Sequence, residues 1–473
     1  MIPSCVLNYI FSEFLYSKDL INLFVSCKKL NIKPYQYNLK DNGFHYCNDG
    51  EQSLDLNEFS KIINENEHVL FNFDYFVFSK HHNNDPIFKN INIKTMLINN
   101  DRYENQIFDF TQFPKSTKSI IFDDYVNLKI ETDLPESLEE LKFNYGWKHR
   151  LPDNLPKKLK KIDFNWGYEH PLNENLPDSL EHIILNQVYL HKLPKKLPQS
   201  LKILEFAKFN RYPLPENLPD SLEELYLGVK HKHPLPKKLP SSLKIIKLNQ
   251  YPFTLPNNLP DSIECIDFDE QYDMPLPDKL PKSLKILKFS QNYNQPLPEN
   301  LPENLKEIHF GKSYNQLFSK SFSNLKNIKK IVCHNNNQLI NLPQSLKSIE
   351  FRGIDCTIPS TLPSNLEHIK ITSFECALSE TLPQSIRHIE LPFLYKHKLP
   401  ENIPMSLEKI NLPWNYNEEF PKSFKKLTKL KKIKWKSNHP LPKNLPDCIE
   451  IIKFDYKLNQ KLSKKYRKNY QKI

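Results

Sequence analysis

Apolar and polar positions along most of this chain follow a ten-residue pattern, L-P-x-S-L-x-x-I-x-F, that returns every 20 or 21 residues. Copies start at Leu134, Leu155, Leu176, Leu197, Leu218, Leu239, Leu259, Leu280, Leu301, Leu342, Leu362, Leu382, Ile403 and Leu445, with a weaker copy at Phe113. Two double steps, 301 to 342 and 403 to 445, each contain a stretched variant. One is marked by Phe322, Leu325, Ile328 and Ile331, the other by Phe424, Leu427, Leu430 and Ile433. Together these make about 17 repeats of one small unit.

Within a unit, apolar residues at positions five, eight and ten end in strand-like alternation, as Leu284, Leu287 and Phe289 do. Proline cannot donate to a central ladder, so the L-P steps must lie off the sheet and leave only about five residues per unit for pairing. About 21 residues with proline at both ends leave no room for a full helix, so the return must be extended, polyproline-like or 3₁₀. No unit can bury its Leu and Phe alone. A parallel stack sets each on its counterpart in the next turn, which predicts a repeat solenoid roughly 80 Å long at about 4.8 Å per strand.

Composition supports a repeat and excludes much else. The 473 residues include 38 prolines and only 7 glycines, and no glycines stand at the spacing of a phosphate-cradling loop. The eight cysteines never come closer than 20 residues, so there is no C-x-x-C pair. Neither a secretory signal pattern nor a run of 18 apolar residues occurs, and an intracellular, cytoplasmic, reduced setting is expected, without membrane partners. No H-E-x-x-H or G-x-S-x-G motif is present, and the recurrent serines (Ser179, Ser200, Ser221) are expected to bond backbone groups at the turn before the strand. The chain is therefore expected not to be an enzyme and to need no cofactor or metal.

The repeats, including the fuller copy Tyr293-Asn294-Gln295-Pro296-Leu297 before Pro298, resemble FNIP repeats, a subclass of leucine-rich repeat. The resemblance covers residues 113–454. Its Y-N-Q portion is kept at Tyr293-Asn294-Gln295 and Tyr314-Asn315-Gln316, is partial at Tyr416-Asn417 and is eroded elsewhere. It implies a leucine-rich-repeat-like parallel β coil with extended or 3₁₀ returns, of the kind met in social amoebae and in giant viruses of amoebae, where the compartment would be host cytoplasm.

Residues 1–47 differ in character. Val6, Leu7, Ile10, Phe11, Phe14 and Leu15 form one stripe of a helix, and Ser17 or Asp19 is suited to cap a second helix carrying Leu20, Leu23 and Phe24. Ile2-Pro3, Ile10-Phe11, Leu15, Asp19-Leu20 and Cys27-Lys28-Lys29 resemble the F-box, although Cys5 and Leu30 depart from it. That resemblance implies a small α-helical module. It would dock through Ile2, Pro3, Leu7, Ile10, Phe11, Leu15, Asp19 and Leu20 onto a Skp-type adaptor of a cullin ubiquitin ligase, making this chain its substrate receptor. Two amphipathic helices that merely shield the open end of the solenoid are the alternative. Residues 48–112, with the strand-like run Phe71, Phe73, Tyr75, Phe76 and Phe78, are expected to be a linker and N-terminal cap.

Positions seven and nine of each unit should point outward and offer a face to a protein substrate. On it the candidate contact residues are Ile203, Tyr226, Ile245, Lys247, Ile286, Lys288 and His309, although isoleucine is also simply a good strand former. Sixteenth positions carry His149, His170, His191 and His233, and stacked imidazoles could share a metal ion. The favoured reading is that each replaces the repeat's glutamine and hydrogen-bonds the adjacent turn. Cys356 and Cys376 occupy equivalent positions, where stacked thiols are favoured over a disulfide. Residues 420–473 carry a net charge of +14 against +11 for the whole chain. The end of this segment, 455–473, is expected to be a basic tail, a solvated cap rather than a nucleic-acid arm.

Overall fold

The computed structural model describes residues 38–39, 71–78, 91–98, 109–454 and 470–472, except positions 127, 167, 186–187, 207–208, 230, 335–340, 354–357, 360, 374–375, 414–415 and 436–443. The chain divides into two compact units, Met1–Leu222 and Glu223–Ile473. In each, the described residues form a parallel β-solenoid.

In the first unit, eight described strands form one parallel ladder: Asn38–Leu39, Phe71–Phe78, Ile91–Ile98, Ser119–Phe122, Glu140–Tyr145, Lys161–Trp166, His182–Leu185 and Ile203–Phe206. In the second unit, thirteen run in the same sense from Glu224–Leu227 to Tyr470–Lys472. Equivalent repeat positions lie opposite each other. Leu141 faces Ile162, and Ile246 faces Ile266, so the twenty-odd-residue period is one turn of the coil.

The turn into each strand is built by the L-P-x-S-L segment. The fifth-position N–H donates to the carbonyl of the proline three residues earlier, as from Leu138 to Pro135 (2.9 Å) and from Leu180 to Pro177 (3.0 Å). Proline thus sits off the ladder and serves as an acceptor, which needs no N–H. In the two stretched units this turn is replaced by a 3₁₀ helix, Lys320–Asn324 or Lys422–Lys426. Phe322 or Phe424 is buried at its centre, and the following leucine N–H bonds back to that phenylalanine's carbonyl.

Positions five, eight and ten form the core. Leu138, Leu141 and Phe143, and Leu284, Leu287 and Phe289, are all buried, each contributing about 1.5–3 kcal/mol relative to exposure. A further aromatic column, at position fourteen or, in the shorter unit of Tyr251, one residue earlier, carries Trp147, Tyr168, Tyr189, Tyr251, Tyr272, Tyr293 and Tyr314, all buried. Where the strand ends in phenylalanine the ring lies flat on it, with Phe289 and Tyr293 4.1 Å apart at 17°. Several tyrosine hydroxyls accept a backbone N–H of the preceding turn, from Leu172 to Tyr189 (3.0 Å) and from Leu235 to Tyr251 (2.9 Å).

Gly311 marks one place where the coils come too close for a side chain, since a Cβ there would run into the carbonyl oxygen of Ser290 in the preceding turn. That is a use of glycine for close backbone approach.

The segment expected as a linker and cap contains Phe71–Phe78 and Ile91–Ile98, and both belong to the ladder, so the parallel stack begins before the first L-P unit. Strand pairing also reaches Asn38–Leu39 within 1–47 and Tyr470–Lys472 within the basic tail. The helical stripe and the adaptor-contact residues Ile2, Pro3, Leu7, Ile10, Phe11, Leu15, Asp19 and Leu20 lie outside the described residues, as does Cys356. Among the described residues, no helix is long and apolar enough to cross a membrane.

Candidate binding face on the strands

Three rows of outward side chains run across the strands, from positions six, seven and nine. In the second unit the seventh-position row reads Glu224, Ile245, Cys265, Ile286, Glu307 and Lys330 in direct register. The ninth-position row beside it reads Tyr226, Lys247, Asp267, Lys288 and His309, and ends against the buried Val332. The ladder therefore brings together six of the candidate contact residues: Tyr226, Ile245, Lys247, Ile286, Lys288 and His309. Ile203 lies in the first unit, opposite His182.

The apolar part of this face is narrow. Ile245, Cys265 and Ile286 are adjacent and half-buried, and Glu224 and Glu307 close the stretch on either side. Burial pushes the Cys265 thiol up to about 11, so it is no ready nucleophile.

The charged members are engaged with one another. Lys288 Nζ is 3.0 Å from Asp267 Oδ2 and Lys247 Nζ is 3.3 Å from Asp269. The Tyr226 hydroxyl donates to Glu224. His309 Nε2 is 3.3 Å from Glu307 Oε2, which Lys330 also approaches at 3.7 Å. Burial lowers the His309 pKa, and the contact with Glu307 only partly opposes it. For Lys288, burial is the largest influence and acts downward, but the hydrogen bond to Asp267 and the charges of Asp267, Cys265 and Glu307 together exceed it and the pKa is raised. Further along, Glu350 is buried between Arg352 (2.8 Å) and Lys370 (3.2 Å).

Position six is not among the candidates that the sequence singles out, and it carries the most regular electrostatics of the three rows. Its N–H donates to the position-six carbonyl of the preceding turn, so these residues stack directly. In the first unit they alternate Lys118, Glu139, Lys160, Glu181 and Lys202, joined by ion pairs such as Lys160–Glu139 (2.7 Å) and Lys202–Glu181 (2.7 Å). Hydrogen bonds from Lys118 and Lys160 hold the Glu139 carboxyl down at about 2. The second unit has Glu223, Lys244, Glu264 and Lys285 in the same row, paired at 2.6 and 2.7 Å. Sign alternation every 20 or 21 residues is visible in the sequence once it is cut into repeats.

The remaining columns are structural. Ser179 and Ser221 donate to the carbonyls of Leu159 (2.7 Å) and Leu201 (2.8 Å), each one repeat earlier, and Cys448 takes the same place opposite Leu427. His170 bonds the carbonyl of Lys148 (2.8 Å) and His191 that of Glu169, while Gln295 and Gln316 at the same position bond side chains of the preceding turn. Histidine here does the glutamine's work of tying neighbouring turns together. Among the described residues, no group of three or more His, Cys, Asp or Glu side chains could hold a metal ion.

The model of the FNIP Repeat family matches residues 105–146, 149–187, 189–230 and 293–322. The chain carries FNIP repeats. The matched segments lie in both units, and the rows described above run through them. No curated protein matches the sequence. Among solved structures the FNIP-repeat chain is similar to a leucine-rich-repeat protein of Leptospira interrogans, at 16% identity over 72% of this chain and 83% of that one, with a TM-score of 0.35. It is also similar to a chain of the Drosophila Toll–Spatzle complex (13% identity, 85% of this chain and 65% of that one, TM-score 0.46). A third is a leucine-rich-repeat protein of Bacteroides ovatus (13% identity, 80% and 92% covered, TM-score 0.13).

Proposed function

We propose that this FNIP-repeat chain is a non-enzymatic protein-interaction protein. The outward face of its strands holds a partner protein, and residues 2–30 link it to a Skp-type adaptor and a cullin ubiquitin ligase. The observation that carries the binding role is the registered ladder itself. A stack of turns with an internal core leaves rows of side chains at fixed spacing on a rigid sheet, and such a surface recognises another protein without any catalytic group. The ubiquitin link is supported by Ile2-Pro3, Ile10-Phe11, Asp19-Leu20 and Cys27-Lys28-Lys29, residues suited to an adaptor-binding helix pair.

The test is a pull-down of a recombinant Skp-type adaptor by the full-length chain. Capture that is lost when Ile10 and Phe11 are changed to Ala supports the ligase role, and undiminished capture by that variant sinks it. A second reading, a free-standing scaffold whose N-terminal segment closes the coil, is favoured by the pairing of Asn38–Leu39 with Asn72 and Phe73. Under it, deleting residues 1–47 lowers the melting temperature of the first repeats. The ligase reading leaves the solenoid folded and removes only adaptor capture.

A further inference from the structure

Among the described residues, like charges interrupt the alternating position-six row twice, briefly where Lys94 precedes Lys118 at its start and at greater length in the second unit. After Glu264 and Lys285 it continues with Lys306, Lys329 and Lys347 before an acid returns at Glu367, and each of these N–H groups bonds the carbonyl of the residue before it in the row. Four lysines therefore stand on four consecutive turns. The outer two are neutralised, Lys285 by Glu264 at 2.7 Å and Lys347 by Glu367 at 2.6 Å. Lys306 and Lys329 are exposed, and neither forms an ion pair among the described residues. The acid nearest to them in the neighbouring row, Glu307, is already engaged by His309 and Lys330.

Like charges directly opposite each other on neighbouring strands are destabilising, at a strand spacing of about 4.8 Å. From Lys118 to Lys202 and from Glu223 to Lys285 this chain avoids that arrangement in row six, turn after turn. A fold that could place an acid at 306 and instead carries lysine gives up local stability there, as binding sites commonly do.

We propose that Lys306 and Lys329, flanked by Lys285 and Lys347, form a docking site for a short acidic polypeptide segment of the partner protein. The basic run is only four turns wide and is closed at both ends by Glu264 and Glu367. A nucleic acid tracking along the row would meet carboxylates within a few nucleotides in either direction, whereas a brief acidic stretch of polypeptide fits between them. This deepens the reading of the strand face as a partner surface and rests on it.

The experiment uses the full-length protein and a fluorescein-labelled peptide of Glu and Gly, followed by fluorescence anisotropy at two salt concentrations. Lys306→Glu is the decisive variant, because a carboxylate between Lys285 and Lys329 restores strict alternation at that turn. It is expected to melt no lower than the parent protein and to bind the peptide about tenfold more weakly. Lys237 and Lys238, an exposed pair elsewhere in the same unit, changed together to Glu serve as the control and should leave binding unchanged.

Absence of peptide binding by the parent protein, equal loss in the control, or unaltered binding by Lys306→Glu would each overturn the proposal. Equal or tighter binding of a single-stranded oligouridine at the same site would also overturn it, in favour of nucleic acid. Adaptor capture through residues 2–30 does not involve these lysines. Unaltered peptide binding with intact adaptor capture therefore removes the acidic-segment proposal and leaves the ligase reading standing.

Discussion

His231 occupies position fourteen, where other turns carry Tyr168, Tyr189 or Tyr272 inside the core. It is fully buried, and neither ring nitrogen finds a hydrogen-bond partner among the described residues. Burial first, and the neighbouring His233 second, lower its pKa to about 4 from an ordinary 6.5. A neutral imidazole fits the apolar column, and an imidazolium does not. Since the folded state takes the proton later than the unfolded chain, stability is fully present above about pH 6.5 and falls as the pH drops toward 4, by up to ~3 kcal/mol. Replacing His231 with Phe, which needs no hydrogen-bond partner, should raise the melting temperature at pH 5 more than at pH 7.5. Calorimetric melts at the two pH values check this. An unchanged difference between them would show that His231 is not the titrating group.

At the scale of the single turn, leucine and isoleucine supply the adhesion and position six supplies register. The ion pairs of that row are at the solvent-exposed surface, where screening leaves each of them little individual worth. Their regularity matters more than their individual strength, because a one-residue slip of a strand would break its position-six pair and turn its core face outward at the same time. Changing Glu264 to Lys joins Lys244 to the run Lys285, Lys306, Lys329 and Lys347, six lysines on consecutive turns, and should cost about 1 kcal/mol, less in high salt. Urea titrations in low and high salt measure it.

Much of this element is legible in the repeat pattern alone. The L-P-x-S-L-x-x-I-x-F frame assigns the buried positions, the off-ladder prolines and the outward rows. The strands at Phe71–Phe78 and Ile91–Ile98 are harder to read as turns of the coil because neither follows an L-P step, the only punctuation the frame recognises. The role of position six escapes the pattern for a different reason. Lys and Glu are equally ordinary on any solvated strand, and only the carbonyl-to-N–H register places Lys160 beside Glu139 rather than beside some other acid. The histidine column is ambiguous in the same way, since sequence spacing alone cannot distinguish shared ligation from the carbonyl bonds of His170 and His191.

For the molecule as a whole, the consequence of building by turns is that each turn's stability comes from itself and its two neighbours. Phe289 shows how local that coupling is, since its ring meets Tyr293 within its own turn at 4.1 Å and Phe310 in the next at 5.6 Å. Truncating it to Ala opens a cavity in the column and should remove about 3–5 kcal/mol from that region. A globular core would spread the loss over every element, because all of them unfold together. A stack of turns should instead lose amide protection first in Cys265–Phe268, Ile286–Lys288 and Glu307–His309, while Lys161–Trp166 in the first unit keeps its own. Hydrogen exchange read by mass spectrometry resolves these segments. Uniform loss of protection through both units would mean that the chain folds as one cooperative body, and that a partner held on one stretch of strands could be felt along all the others. Confined loss would mean that the row around Lys306 and Lys329 can be altered or occupied without disturbing distant turns, which is the independence that a modular binding surface requires.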